Sequence, residues 1–524
     1  MHACLNVDEI VRLLACELVA SEGNATAVAL ACCCKNFEDP VLDVLWETQQ
    51  QLDLLLFVFP EGVWQEGIPH LVSPPMTPYP PSLNRTIGKI FKRTPTTAEW
   101  VRFKKYARRM RELKLNLLQD LIPPDTLSAL QLRTLNQPLL PSLKSVEFQE
   151  ATADTIPFFP LFLSNTTIDI DIRFAAVPPA VMVASMIINL PTLCPNIRKM
   201  CLNPLPRDPT VTDAVSEMLL TCNLGTLREL CVDSPLTKEA YEAVCKLPEL
   251  RGLWMVIQGP TSLSTVSLPN LTELDVEYHQ GHDWLRAFHG TTLSNLAEVA
   301  FHANCEQIGD LLETFEGVAL ATSASATLST FGFYTSCSWN PAYYALLSFK
   351  QLKVLIIEFS CDNGCSSVMD DEILTTLARA MPKLETLQLG KAPCQARSNV
   401  TAQGLIALTN HCFGLSKLRV HFRTDDLVMA LSIGIIPTPS SVASHLPREG
   451  CVLTSLEVGE IPIPQHYSLT VALTLLRIFP RLLIIEYEGD QWAWVAETVR
   501  LSKQIDHFVY DTGKMGPRTF DDLQ

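Results

Sequence analysis

Long apolar runs are missing from this chain of 524 residues. The two best stretches are 180–190, which is too short, and 471–485, which Arg477 and Arg481 interrupt. Crossing a bilayer takes about 20 consecutive apolar residues, so no membrane span is expected. Positive charge is also scarce. Forty Lys and Arg against 56 Asp and Glu leave a formal charge of −16. Nonspecific binding to nucleic acid or to an anionic membrane needs a basic surface, and neither is expected here. Asp8 and Glu9 stand where a secretory leader would carry basic residues, so no leader is expected. The spacings that announce catalysis are absent as well: no G-x-x-x-x-G-K-S/T loop, no G-x-G-x-x-G after a strand, no H-E-x-x-H and no G-x-S-x-G. His279, His282 and His289 lie close together beside Asp283, but they read as solvent-exposed histidines rather than a metal or catalytic site. The expectation is a protein that is not an enzyme, with no cofactor and no metal. Cysteine is plentiful, at 17, yet scattered. Cys361 and Cys365 have no further ligand at zinc spacing, and the thiols read as reduced residues of a cytoplasmic or nuclear protein.

What is present is a repeat. Six times an apolar residue, a proline, a free position and an aliphatic residue follow one another: Leu140-Pro141-Ser142-Leu143, Cys194-Pro195-Asn196-Ile197, Leu247-Pro248-Glu249-Leu250, Leu268-Pro269-Asn270-Leu271, Met381-Pro382-Lys383-Leu384 and Phe479-Pro480-Arg481-Leu482. The last residue of each opens an L-x-x-L-x-L pattern, such as Leu384, Leu387 and Leu389. In a chain that is 47% hydrophobic the leucine pattern alone is uninformative, and the proline decides. Thirteen starts align: Met110, Leu143, Ile197, Leu227, Leu250, Leu271, Leu296, Leu328, Leu352, Leu384, Leu415, Leu453 and Leu482. At a background of about 5% proline, fewer than one start should carry it two residues earlier; six do.

The widest gap, between Leu143 and Ile197, is expected to hide a degenerate copy around Ile168, Ile170 and Ile172. Between starts the apolar period becomes helical over 213–222, 238–247, 371–381 and 401–412, with Asp213 and Thr401 as candidate N-caps. Strand, turn, helix and return make a leucine-rich-repeat unit. The fold class is therefore α/β: an irregular solenoid over residues 98–510 with a parallel sheet inside and helices outside. Residues 511–524 form a tail.

Residues 1–47 do not follow the repeat. Val7, Ile10, Val11, Leu14 and Leu18 make one helical stripe, Ala27, Leu30 and Ala31 begin another, and Asp39-Pro40 starts a third segment ending in Leu45-Trp46. Three short helices make a small core that leans on a neighbour or a partner. The run Leu5-Asn6-Val7-Asp8-Glu9-Ile10, then Leu13-Leu14, Leu30-Ala31-Cys32-Cys33-Cys34-Lys35-Asn36-Phe37, Asp39-Pro40 and Leu45-Trp46 resembles an F-box. The likeness is to the divergent F-box-like proteins of mushroom-forming (basidiomycete) fungi, and it extends to residues 100–110. Asn6-Val7 stands where many F-boxes carry Leu-Pro. The resemblance implies an all-helical module docking a Skp-type adaptor of a cullin-based ubiquitin ligase, with the repeats holding a protein substrate. The adaptor-facing positions it implies are Val7, Ile10, Leu13, Leu14, Leu30, Phe37, Pro40, Leu45 and Trp46. The alternative is that these residues only pack the three helices together.

Residues 48–97 read as a connector, with six prolines within 69–81 that exclude a helix or a central strand. After it, Thr96 and Glu99 form a capping box for a helix over 98–111 whose apolar face is Trp100, Phe103, Ala107 and Met110. Its basic residues, Arg102, Lys104, Lys105, Arg108, Arg109 and Arg111, suit a phosphate or acidic-peptide site, or the solvated face of a helix capping the solenoid.

In the repeat strands the first, fourth and sixth pattern residues point inward, and the third, fifth and seventh outward onto the concave sheet. That register puts Gly252, Trp254 and Val256; Glu273, Asp275 and Glu277; His302; Tyr334; Ile356 and Glu358; and Lys417, Arg419 and His421 on the recognition face. Trp254, Tyr334 and Ile356 are expected to present apolar surface, and the Glu273–Asp275–Glu277 ladder to repel itself unless a basic group binds there. The expected ligand is a partner of basic and hydrophobic character. The functional expectation is a ubiquitin-ligase substrate receptor, or a repeat scaffold or inhibitor without a ligase.

Overall fold

Proline sets where the repeat strands begin. In the computed structural model the start residue donates its N–H to the carbonyl just before the proline: Leu143 to Leu140 at 3.2 Å, Leu271 to Leu268 at 3.2 Å, Leu384 to Met381 at 3.2 Å and Leu482 to Phe479 at 3.1 Å. Each is a β-turn with proline at its second position, where a fixed φ is favourable and no N–H is required. All 13 aligned start residues are buried, none more than 2% exposed. The degenerate copy around Ile168, Ile170 and Ile172 is real, and its start is Thr167. Thr167 is fully buried, and its hydroxyl bonds the Leu143 carbonyl at 3.2 Å, so a polar residue occupies a leucine position with its hydrogen bonds made.

The structure describes residues 7–21, 23–66, 89–116, 122–134, 137–222, 224–257, 268–278, 293–303, 327–335, 346–359, 369–390, 398–432, 451–458, 461, 463, 465–487 and 490–513. The Pro-rich segment 69–81, the histidines 279, 282 and 289, the cysteines 361 and 365, and the tail from residue 514 lie outside them. The chain divides into two compact units, Met1–Val256 and Ile257–Gln524.

In the first unit, parallel strands follow one another from Thr48–Gln49 through Glu112–Asn116, Ser145–Ala151, Asp169–Phe174, Lys199–Asn203 and Glu229–Pro235 to Gly252–Ile257. Among the described residues of the second, eight parallel strands run from Glu273–Tyr278 to Ile484–Tyr487. Both are α/β repeat arrays of the expected solenoid type. One carbonyl per repeat receives two N–H groups from the next repeat. Arg198, for example, accepts from Arg228 at 2.7 Å and Glu229 at 3.1 Å, so the turn–strand junctions are stitched in series.

The helices form between the strands as the period suggested, with one start displaced. The helix expected at residue 213 begins at Pro209, with Asp208 accepting from the Thr210 N–H at 2.8 Å. Proline at the first helical position is preorganised for that start. Thr401 is an N-cap as expected, bonding the Gln403 N–H at 3.1 Å.

Ahead of the strands lie three helices, α1 (Asp8–Ser21), α2 (Asn24–Cys33) and α3 (Lys35–Glu47). Val11, Ala15, Ala27, Phe37 and Val41 form their buried core. The third helix runs straight into Thr48–Gln49, which pairs with Glu112–Leu113, so the boundary at residue 47 is also the first strand of the sheet. The described parts of the connector are folded too. Trp64–Glu66 pairs antiparallel with Lys89–Phe91. Phe59 stacks on Phe103 at 5.0 Å and Trp64 on Phe91 at 4.5 Å, building an aromatic cluster under the Thr97–Ala107 helix.

Candidate functional site

The nine adaptor-facing candidates separate by burial. Val7, just before α1, and Leu13 and Leu14 on it are exposed, at 42%, 70% and 43%, and Val28 on α2 is 49% exposed. Ile10 is half-buried beside them. Helical spacing puts Val7, Ile10 and Leu14 on one stripe, next to the buried stripe of Val11 and Ala15 that packs the module. The other candidates are used inside the protein. Phe37 and Pro40 are buried among the helices, and Leu30 and Leu45 pack against the same core. Trp46 lies against Tyr106 of the Thr97–Ala107 helix, with ring centroids 4.9 Å apart. Of these five, Phe37 and Pro40 are buried and Leu30, Leu45 and Trp46 half-buried, because a core this small uses its few large apolar groups for its own packing.

The basic helix turns out to have its acidic partner within the chain. Arg109 ion-pairs with Asp39 and Asp43 of α3, and its Nη1 donates to the Asp39 carbonyl at 3.0 Å. Lys105 lies 3.3 Å from Glu38 and 3.6 Å from Asp39. Arg12 of α1 reaches Asp43 at 2.8 Å. The Arg109 hydrogen bond, opposed by slight burial and helped by Lys105, lowers the Asp39 pKa below its usual value. These groups surround a cleft of about 420 Å³ lined by Arg12, Asp39, Asp43, Lys105, Arg108 and Arg109, among others. The arrangement latches α3 to the start of the repeats. The capping box is present as expected: the Glu99 N–H donates to Thr96 Oγ1 at 3.3 Å, and the Thr96 N–H to Glu99 at 2.7 Å. Hydrogen bonds from Arg93 and Thr96 bring Glu99 down to about 2.

On the repeat strands the inward register holds through the second unit as far as Val458; in the last strand Ile485 is buried but Tyr487, the sixth pattern residue, is 43% exposed. Leu274, Val276, Val299, Phe301, Phe331, Phe333, Leu355 and Ile357 are buried. Of the expected recognition residues, Glu273 is exposed; Asp275, Glu277, His302, Tyr334, Ile356 and Glu358 are half-buried and share the outward face of successive strands. Tyr334 lies back over Gly332, where a Cβ would meet its Cε2 at 3.2 Å. His302 stacks flat on Tyr334, with centroids 4.6 Å apart and planes 6° from parallel, and its Nε2 is 3.2 Å from Asp275. The acidic ladder is thus already met by a group of the same face. Burial by itself would lower the His302 pKa; the Asp275 carboxylate, with Glu277 and Glu358, outweighs it and raises the pKa above its ordinary value.

Farther along, Arg419 bridges Glu358 at 2.7 Å and Glu457 at 2.5 Å. Lys417 lies 3.8 Å from Glu457 and 3.7 Å from Glu486. Burial and the Arg419 charge lower the His421 pKa. In the first unit Trp254 is half-buried on the outward side, and its Nε1 has no partner among the described residues. Val256 is a correction: it is 3% exposed, not on the open face. A register shift between Val232 and Pro235 pairs Pro235 with Val256 and ends the alternation there. Among the described residues no three potential metal ligands converge, and no helix is long and apolar enough to cross a membrane.

No family model matches the chain, and no curated protein matches it. Among solved structures it is similar to a chain of the Rad7–Elc1 complex in yeast. The identity is 12% over 56% of this chain and 80% of that one, with a TM-score of 0.30.

Proposed function

We propose that this chain is a non-catalytic substrate-recognition subunit of a cullin-based, SCF-type ubiquitin ligase. The α1–α3 module docks a Skp-type adaptor, and the outward face of the repeat strands captures a protein substrate. The observation that carries this reading is the apolar stripe left exposed along α1, Val7 just before it and Leu14 with Leu13 beside them. Exposed apolar surface on a small helical module marks an interface. The mechanism is proximity. With the module latched through Arg109 and continuous with the first strand, adaptor and substrate share one scaffold, and the effective concentration of a target lysine rises.

The outward residues support a substrate of basic and apolar character. Asp275, Glu277 and Glu358 surround the His302–Tyr334 stack, with Ile356 beside it and Glu273 farther along the same strand. Replacing Tyr334 by alanine in the full chain should deplete the captured partners by an order of magnitude, about 1.4 kcal/mol. An unchanged set of partners refutes this substrate face. A second reading, a repeat scaffold whose helical module only caps the array, is favoured by the burial of Phe37 and Pro40 and by the Trp46–Tyr106 contact. Adaptor capture by the full chain separates the two.

A further inference from the structure

We propose that Cys201 and Cys231 form an oxidisable dithiol on the outward face of the first unit. The two residues are direct register partners on the parallel strands Lys199–Asn203 and Glu229–Pro235. Adjacent strands lie about 4.8 Å apart, inside the Cα separation of about 4.4–6.8 Å that a disulfide spans. Both thiols project from the same side. Their neighbours Met200, Leu202, Leu230 and Val232 fill the core, and the Asn203 amide nitrogen lies 3.8 Å from each sulfur. Cys201 is 9% exposed and Cys231 half-buried, so a small reagent enters through Cys231.

In two other places a cysteine feels the charge of a second, Cys194 that of Cys222 and Cys412 that of Cys451, but burial there works against the thiolate. Burial pushes Cys194 and Cys412 up to about 12 and Cys222 up to about 11, and raises Cys451. The thiolate is the reactive form, which leaves those pairs inert. Cys16, Cys32 and Cys33 are exposed on the helical module, away from any strand register.

The chemistry needs a two-electron oxidant, and hydrogen peroxide is the class that fits so narrow an opening. The Cys231 thiolate attacks one peroxide oxygen, breaking the O–O bond and releasing water as the sulfenic acid forms. Cys201 then attacks that sulfur, and the hydroxyl leaves as a second water. Two thiols lose two protons and two electrons, and one peroxide becomes two waters. Because Trp254 is the register partner of Cys231, oxidation also remodels the floor beside it. That consequence rests on the proposed substrate face; the dithiol does not.

The test treats the full chain with dilute hydrogen peroxide, blocks residual thiols by alkylation and digests with trypsin without reduction. The expected product is a linked pair of peptides, 200–207 with 229–238, two hydrogens lighter than their sum and separated by reductant. Phenylarsine oxide, which bridges two close sulfurs, provides a second readout on unoxidised protein: Cys201→Ser or Cys231→Ser should each abolish its capture at this site. Recovery of both peptides unlinked and separately alkylated after oxidation overturns the proposal. So does arsenical capture that neither substitution changes.

Discussion

Replacing Arg109 by alanine tests whether the helical module and the first repeats behave as one body. The Arg109 side chain is 10% exposed, Asp39 68% and Asp43 34%. Removing one partner of a fully buried ion pair costs about 3–5 kcal/mol, and an exposed pair is worth about 0–1 kcal/mol. Here the stranded acids are not fully buried. Asp39 is largely in water, and Asp43 keeps Arg12 at 2.8 Å. The larger loss is the charged donor to the Asp39 carbonyl, worth about 1.5–3 kcal/mol. The sum is about 2 kcal/mol, felt where α3 meets the Thr97–Ala107 helix. Native-state hydrogen exchange on the full chain should therefore show α1–α3 amides exchanging about 30-fold faster, with the second unit unaffected. The contribution of Asp39 has the depressed-carboxylate sign. It is present above the unfolded pKa and lost as pH falls through the folded one, so the wild type should lose more module protection in acid than the variant, which keeps only Lys105 beside Asp39. Protection in α1–α3 that changes by less than about twofold refutes the latch.

Two further outcomes follow from contacts between repeats. Gly404→Ala should destabilise the chain by about 2 kcal/mol, read as a lowered urea midpoint, although alanine is the better helix former by about 1 kcal/mol. A Cβ there would collide with Asp371 Oδ1, which accepts from the Thr401 and Gly404 N–H groups at 2.8 and 3.0 Å. A raised midpoint contradicts this. The two histidines of the second unit's outward face should titrate in opposite directions. An NMR titration of the full chain should place His302 above, and His421 below, the ordinary value of about 6.5. With its folded pKa raised, His302 contributes stability that is full below its unfolded pKa and lost as pH rises through the folded one. A His302 pKa below the ordinary value would falsify the Asp275 contact as its cause.

The repeat was legible because its signal is local. Proline must sit in the turn, and the start residue three positions after the accepting carbonyl must be buried, so six prolines located the strands and their register. Thr167 escaped because a hydroxyl satisfied by the Leu143 and Ser164 backbones can fill a leucine site. The start at Pro209 has its own local signal in Asp208-Pro209, whereas the apolar period alone points to residue 213. Contacts over long sequence separation were not legible at all. Arg109 and Asp43 are 66 residues apart, and Asp371 caps a helix 30 residues downstream. The same limit governs the adaptor candidates. An apolar residue in a three-helix module reads alike whether it faces a partner or a neighbouring helix, and only the packing separated Leu13 and Leu14 from Phe37 and Pro40.

Adaptor capture is the most direct test of the receptor reading. The full chain should co-purify a Skp-type adaptor. Leu13→Asp with Leu14→Asp should abolish that capture while leaving the far-ultraviolet circular dichroism and the unfolding midpoint unchanged, because both side chains are exposed. An intact chain that captures no adaptor, or capture that survives both substitutions, contradicts it.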